Sequence, residues 1–327
     1  MTIARRKSRV RDNRDGDASF VTVVGGANID IHGRSTRALQ AHDSNPGTVH
    51  ISAGGVARNI AENLVRLGVD CRLITALGDD HNGRTLMRLT SEAGIDTQYV
   101  QEIASAQTST YLSIIAASGD KAVAIADMDI IDQLTPEKLR PCQSMLHESS
   151  LIVLDTNLPD STLAWLTCEF AEQTLFVDTV STAKAPRIKR YLGSIHTLKT
   201  SAIEAEALTG LEAKTTPQLE DVAAHLHAAG VERVFVTRGG RGVFYSTGDE
   251  QGIMQPEQES RIVRNAGGAG DAFLAGLAYS WLENHDLEKT LRFALTAADL
   301  TLSDTATSSP ALSLTAINQA LEAGDVS

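Results

Sequence analysis

Three glycine-rich stretches end in residues able to do chemistry: Gly25-Gly26-Ala27-Asn28-Ile29-Asp30, Ala53-Gly54-Gly55-Val56-Ala57-Arg58-Asn59 and Asn265-Ala266-Gly267-Gly268-Ala269-Gly270-Asp271. The third leads straight into an apolar helical run, Phe273-Leu274-Ala275-Gly276-Leu277-Ala278. Small residues at a helix mouth leave several backbone N–H groups unpaired and converging, and the helix dipole adds positive potential there. Gly268, Ala269 and Gly270 therefore frame an anion hole suited to a phosphoryl group in transfer. Asp271, at the same helix start, is a poor neighbour for phosphate. It is explained if it accepts the proton of an attacking hydroxyl, as phosphoryl transfer requires; the plain alternative is an aspartate that caps a helix. In the first stretch Asn28 and Asp30 supply acceptors for sugar hydroxyls. In the second, Gly54 and Gly55 let a ligand lie against the backbone, and Asn59 can hydrogen-bond it in either sense; a simple glycine turn would read the same way.

Other candidates are less specific. Glu204, in Leu198-Lys199-Thr200-Ser201-Ala202-Ile203-Glu204, starts a helix directly after a strand. A carboxylate there can hold a hydrated Mg²⁺ beside nucleotide phosphates, or merely favour the helix dipole. Thr237-Arg238-Gly239-Gly240-Arg241-Gly242 is a further glycine-rich strand exit. No GxxxxGK[ST] loop is present, which argues against a P-loop phosphotransferase, and no HExxH supports metal hydrolysis. The first glycine pair does not lead directly into a helix, so a dinucleotide fingerprint fits poorly. His225 and His227 fall on different faces of a helix and need no ligand role.

The elements that must position these residues alternate. Phe20–Val24 reads as a buried strand, and strands and helices then follow in turn, which implies a mostly parallel sheet covered on both faces. Two pieces break the alternation, 31–52 and 108–131, the second a hairpin turning at Ser118-Gly119-Asp120. Both fit a small sheet laid over the main one as a lid; an edge hairpin is the alternative. Residues 1–18 are basic, polar and without periodicity, as in a disordered tail. The chain has 327 residues, 42% hydrophobic and 21% charged, with a formal net charge of -12. That composition supports a substantial core and argues against a general nucleic-acid or anionic-membrane binder. Cys71, Cys142 and Cys168 are scattered without metal spacing, and no signal or membrane-spanning run is evident, so a cytoplasmic protein is expected.

The ordered set GGANID, AGGVARN, TLKTSAIE, TRGGRGV and GGAGDAFLAG closely resembles the signatures of the PfkB (ribokinase-like) carbohydrate kinase family, and it spans nearly the whole chain after the tail. Within the family, GGANIDIHG, DSNPGTVHISAGGVARNIAENL, TSTYLSIIAASG with IADMDI, LDTNL, FVDTVSTAK and IHTLK resemble the branch that acts on the nucleoside pseudouridine. The resemblance implies a three-layer α/β/α sandwich over 19–327, with a mostly parallel central sheet and a small β-sheet lid. It implies ATP-dependent phosphorylation of the 5′-hydroxyl of pseudouridine, with Asp271 as general base and Gly268, Ala269 and Gly270 as anion hole. Asp30, Gly54, Gly55 and Asn59 would hold the ribose, with Asn28 and Ser44 near the nucleoside. Lys199, Ser201, Thr237, Gly239 and Gly242 would line the ATP site, Glu204 would help position Mg²⁺, and the lid would serve a homodimer. Two departures stand out. Ser201 replaces the Asn of the family's NxxE motif, and Asn265-Ala266 replaces an Asp-Thr pair whose Asp helps bind a monovalent cation, which leaves K⁺ activation open. A kinase for another nucleoside or a free sugar, and a binding or regulatory protein on the same scaffold, are the competing readings.

Overall fold

The computed structural model describes residues 19–256, 267–302 and 307–324. The expected tail and the Asn265-Ala266 departure lie outside them. The chain opens with β1 (Phe20–Val24), β2 (Asn28–Ser35) and β3 (Gly47–Gly54), then α1 (Val56–Arg66), β4 (Asp70–Ile74), β5 (Ala76–Gly78), α2 (His81–Glu92), β6 (Gln101–Ile103), β7 (Thr110–Ile115) and β8 (Lys121–Asp127). Short α3 (Pro136–Leu139) and α4 (Gln143–Glu148) lead to β9 (Leu151–Asp155), α5 (Asp160–Glu169), β10 (Leu175–Asp178), β11 (Thr197–Ser201), α6 (Ala202–Thr209) and α7 (Thr216–Ala228). Strands β12 (Arg233–Thr237), β13 (Val243–Ser246) and β14 (Gln251–Met254) precede α8 (Ala269–Leu282), α9 (Leu287–Leu302) and α10 (Leu314–Gly324).

The main sheet has the order β14-β13-β12-β11-β10-β9-β1-β4. Six strands from β4 to β12 run parallel, and β13 and β14 add an antiparallel edge. Each parallel strand feeds side chains to both faces, as a doubly covered sheet requires. In β1, Val21 and Val23 join a core with α1 and α8, whereas Phe20 and Val24 join the opposite core with α5 and α7. The expected three-layer sandwich is present. The apolar run CRLITALG, continuous in the sequence, breaks after Ile74: β4 stays in the main sheet and β5 pairs with β6 in a separate ribbon. No helix among the described residues is long and apolar enough to cross a membrane.

The second sheet has the order β3-β2-β7-β8 and joins the two expected pieces through a parallel β2–β7 pair. It begins at Asn28, slightly before the expected 31, and β8 ends at Asp127, after which residues 129–133 form a 3₁₀ turn. Cross-strand partners share a face. One face carries the rows Ile51-Ile31-Leu112-Ile125 and Val49-Gly33-Ile114-Val123, and the other carries Asp30, His32, His50 and Ser113. Near its base the apolar face packs through Ile29, Ile31 and Ala53 onto Leu77, Leu86 and Met87. At its far end Val49, Ile51, Val123 and Ile125 are exposed.

Candidate functional site

The carboxyl ends of β9, β10 and β11 place three charged side chains in one row, because Asp155 pairs in register with Asp178 and Asp178 with Lys199. Ligands of open parallel sheets bind beyond this end. All three are buried on the face that α1 and α8 cover. Lys199 Nζ donates to Asp178 Oδ2 at 2.8 Å, and Asp178 Oδ1 accepts the Val180 N–H at 2.7 Å. Asp155 takes the Gly26, Ala57 and Asn157 amides at 2.8, 3.1 and 2.9 Å, binding the exit of β1, the start of α1 and the exit of β9 to one carboxylate.

The start of α8 closes over this row. Gly268 is its N-cap, left-handed at φ 84°, and a Cβ there would lie 1.7 Å from the Thr307 carbonyl oxygen, so only glycine fits. No side chain caps the first turn. A Cβ on Gly270 would lie 2.6 Å from Lys199 Nζ, so the ammonium packs directly beneath the glycine backbone. Asp271 follows, buried, with Oδ2 accepting from Asn59 Nδ2 at 2.9 Å. Asn59 is carried by the first turn of α1, whose entry needs Gly55 at φ 100°. Its Oδ1 is buried without a hydrogen-bond partner, and such an oxygen is costly unless a ligand hydroxyl satisfies it.

Burial pushes the Asp271 carboxyl up to about 7, Asp178 and Asp155 pushing the same way while Lys199 and the Asn59 bond pull it down. Its proton is therefore balanced near neutral pH, as a general base needs. For Lys199, burial favours the neutral form, but the Asp178, Glu204 and Asp271 carboxylates more than offset it and the net shift is upward. The ammonium stays charged under the helix mouth.

The structure gathers most of the residues expected from the sequence. Asn28 donates to Asp30 Oδ1 at 2.6 Å, and Asp30 lies against Gly54 at the foot of the second sheet. Ser201 is the N-cap of α6 in a reciprocal box: its Oγ accepts the Glu204 N–H, and Glu204 Oε2 accepts the Ser201 N–H at 2.9 Å. Serine therefore keeps the capping function at the NxxE position, and Glu204 is also bonded by the Thr179 hydroxyl at 2.7 Å. Thr237 pairs in register with Ser201, and Gly239 and Gly242 shape the tight turn that follows, both with positive φ. Ser44 is different. It is exposed in the loop joining β2 to β3, at the end opposite the Asn28–Gly54 pair, so this chain alone does not bring it to the others. His225 is exposed, and His227 is used structurally, bonding Ser246 Oγ and the Val231 carbonyl.

Asp155 and Asp178 were not singled out in the sequence. Each is the last residue of a strand, within LDTNL and FVDTVSTAK. The available signal was that a charged residue closing a buried parallel strand must have a partner.

The model of the pfkB family carbohydrate kinases matches residues 18–314. A pseudouridine kinase of Escherichia coli K12 is 36% identical over 91% of this chain and 95% of its own length. Among solved structures, a putative sugar kinase from Clostridium perfringens superposes with a TM-score of 0.81 at 30% identity, covering 94% of this chain and 96% of its own. The Arabidopsis thaliana ribokinase complexed with ribose and ATP gives 0.84 at 23% identity over 93% of this chain and 99% of its own, a likeness of fold. With the expected sandwich, the second sheet and the glycine-framed Asp271 in place, the chain is a kinase of the pfkB carbohydrate kinase family.

Proposed function

We propose that this protein transfers the γ-phosphoryl group of ATP to the 5′-hydroxyl of pseudouridine. The observation that carries the reading is the buried Asp271 carboxyl, raised to about 7, beside the uncapped start of α8. The 36% identity to a pseudouridine kinase supports the choice of acceptor. In the proposed step, Asp271 takes the proton from the 5′-hydroxyl as its oxygen attacks the γ-phosphorus. The bond to the β,γ-bridging oxygen breaks and ADP leaves. Amides of Ala269 and Gly270, with the Lys199 ammonium beneath them, hold the equatorial oxygens. The Asn59 amide fixes Asp271, and its free carbonyl oxygen, with Asp30, takes ribose hydroxyls. Asn28 and Asp30 stand at the foot of the second sheet, which would fold over the nucleoside as a lid.

Among the described residues no three His, Cys, Asp or Glu side chains converge on a metal site. Mg²⁺ would arrive on the nucleotide phosphates and need only one or two carboxylates, here Glu204. Lys199, Ser201, Thr237, Gly239 and Gly242 lie on the nucleotide side. The Asn265 position, and with it K⁺ activation, falls outside the described residues. The three cysteines are free, which fits the cytoplasm. Phosphorus and proton NMR of the product tests the chemistry directly: the phosphate is expected on C5′, and any other position sinks this geometry.

The exposed apolar end of the second sheet supports a homodimer. Val49 is 70% and Ile51 62% exposed, beside Val123 and Ile125 on the same face, an arrangement that monomers rarely leave to water. A second copy of the same face is the proposed occupant. Light scattering is expected to give about twice the 34.9 kDa chain mass, with Ile51→Asp returning it to one chain. A monomeric wild type would overturn the dimer.

A further inference from the structure

A row of threonines stands one residue beyond the charged row. Thr156, Thr179 and Thr200 directly follow Asp155, Asp178 and Lys199 in the chain, and all three are fully buried. Successive residues of an extended chain point to opposite faces, so the threonines face away from α1 and α8. Two hydroxyls tie neighbouring strand exits together. Thr156 donates to the Thr179 carbonyl at 2.7 Å, and Thr237 donates to the Thr200 carbonyl at 3.3 Å. Thr179 differs: its Oγ1 lies 2.7 Å from Glu204 Oε2 and 2.9 Å from Thr200 Oγ1. A hydroxyl carries one proton, and the carboxylate is both the nearer and the charged acceptor. The proton therefore goes to Glu204.

The main chain holds Thr179 from both sides. Its N–H donates to the Lys199 carbonyl at 3.3 Å, extending the β10–β11 ladder by one residue, and its carbonyl takes the Thr156 hydroxyl. Val180 then turns the chain away, left-handed at φ 61° although β-branched, with its N–H on Asp178 Oδ1. Outliers of this kind collect at functional sites. Glu204, half-buried at the start of α6, is held by one oxygen. Its Oε2 takes both the Thr179 hydroxyl and the Ser201 N–H, while Oε1 has no hydrogen-bond partner among the described residues. A capping box needs only the reciprocal bonds between Ser201 and Glu204. The second donor on Oε2 is surplus to capping, and what it adds is a fixed orientation of the carboxylate.

We propose that Thr179 is a positioning residue for Glu204, its hydroxyl holding Oε2 so that Oε1 alone is left for the nucleotide-borne Mg²⁺ or one of its waters. This deepens the reading of Glu204 given above and rests on it. Mg²⁺ demands near-ideal octahedral geometry and keeps several waters, so a carboxylate that swings or offers both oxygens serves it poorly. Thr156 and Thr200 tie strand exits and make no hydrogen bond to the carboxylate, which leaves the task to Thr179.

The test measures the Mg²⁺ concentration for half-maximal turnover and, by calorimetry, the affinity for ADP with and without Mg²⁺. It compares wild type with Thr179→Val, Thr179→Ser, Thr200→Val and Glu204→Gln, with melting temperature as the check on folding. Losing a partner that orients a metal-holding side chain costs about 10- to 100-fold in metal affinity. Thr179→Val is expected to raise the Mg²⁺ requirement by about 10-fold and to weaken ADP binding only when Mg²⁺ is present. KM for the nucleoside should stay near that of wild type. Thr179→Ser keeps the hydroxyl and should recover most of the loss, and Thr200→Val should match wild type. In a Glu204→Gln background Thr179→Val should add little, because the two residues act as one unit. Thr179→Ala, which also lacks the hydroxyl, takes the place of Thr179→Val should that variant fail to fold. An unchanged Mg²⁺ requirement in Thr179→Val, or equal losses of ADP affinity with and without Mg²⁺, overturns the positioning role. Thr179→Ser as impaired as Thr179→Val overturns it as well. A Glu204→Gln variant with the wild-type Mg²⁺ requirement refutes the placing of Glu204 itself, whatever Thr179 does.

Discussion

Asp271→Asn should lose turnover by about 10²- to 10⁴-fold while still binding nucleoside, because the general-base term is removed and the shape of the site is kept. The same change should stabilise the protein at alkaline pH. The unfolded carboxyl gives up its proton near its ordinary 3.8, whereas the folded one holds it until about 7. Between those values the folded state binds the extra proton, so stability falls as pH rises through the window and stays low above it. Asparagine has no charge to bury. The variant should therefore melt higher than wild type at pH 8, by on the order of a few degrees, and the gain should shrink by pH 5. Thermal melts at the two pH values read this out, alongside turnover and nucleoside binding. Near-normal turnover in the variant removes Asp271 from the base role. A lower melting temperature at pH 8 would show that the buried charge is better compensated than Lys199 and Asn59 allow.

Lys199→Met is expected to have the second largest effect. The Lys199–Asp178 pair is almost wholly buried at 2.8 Å, and removing one member of such a pair costs about 3–5 kcal/mol because the partner charge is left without compensation. Two acids are exposed to that loss, Asp178 directly and Asp271 beside it. Adding Asp178→Asn removes the orphaned charge, so the double variant should be more stable than Lys199→Met alone. The acid limb of kcat/KM separates the two residues further. Asp178 raises the Asp271 pKa and Lys199 lowers it. Asp178→Asn should therefore move the limb to lower pH, and Lys199→Met, where turnover remains measurable, to higher pH. Limbs that move together, or not at all, would separate Asp271 from this charge row.

The order of strands and helices was legible because the apolar runs are long and their periods switch cleanly. Phe20–Val24 and the helix after Asp271 are examples, and the glycine-framed start of that helix follows from residue type and spacing alone. What periodicity could not show was register. Asp155, Asp178 and Lys199 lie in three separate segments, and only strand pairing sets them side by side. The break after Ile74 was hidden because a hydrophobic run does not say which sheet it joins. Ser201 looked like a defect in a motif; in the fold it caps α6 by the same reciprocal bonds with Glu204 that a capping box demands. That retention, with Asp271 buried and poised, favours a working kinase over a binding protein on the same scaffold. Ser44 shows another limit: the resemblance implies a place near the nucleoside, and within a single chain it stands at the far end of the β2–β3 hairpin.

The most direct test of the account is ADP release from ATP with pseudouridine, uridine, ribose and fructose offered as acceptors to the purified full chain. Release is expected with pseudouridine, at a kcat/KM well above that for the other three. Release with none of them, or a preference for ribose, would contradict it.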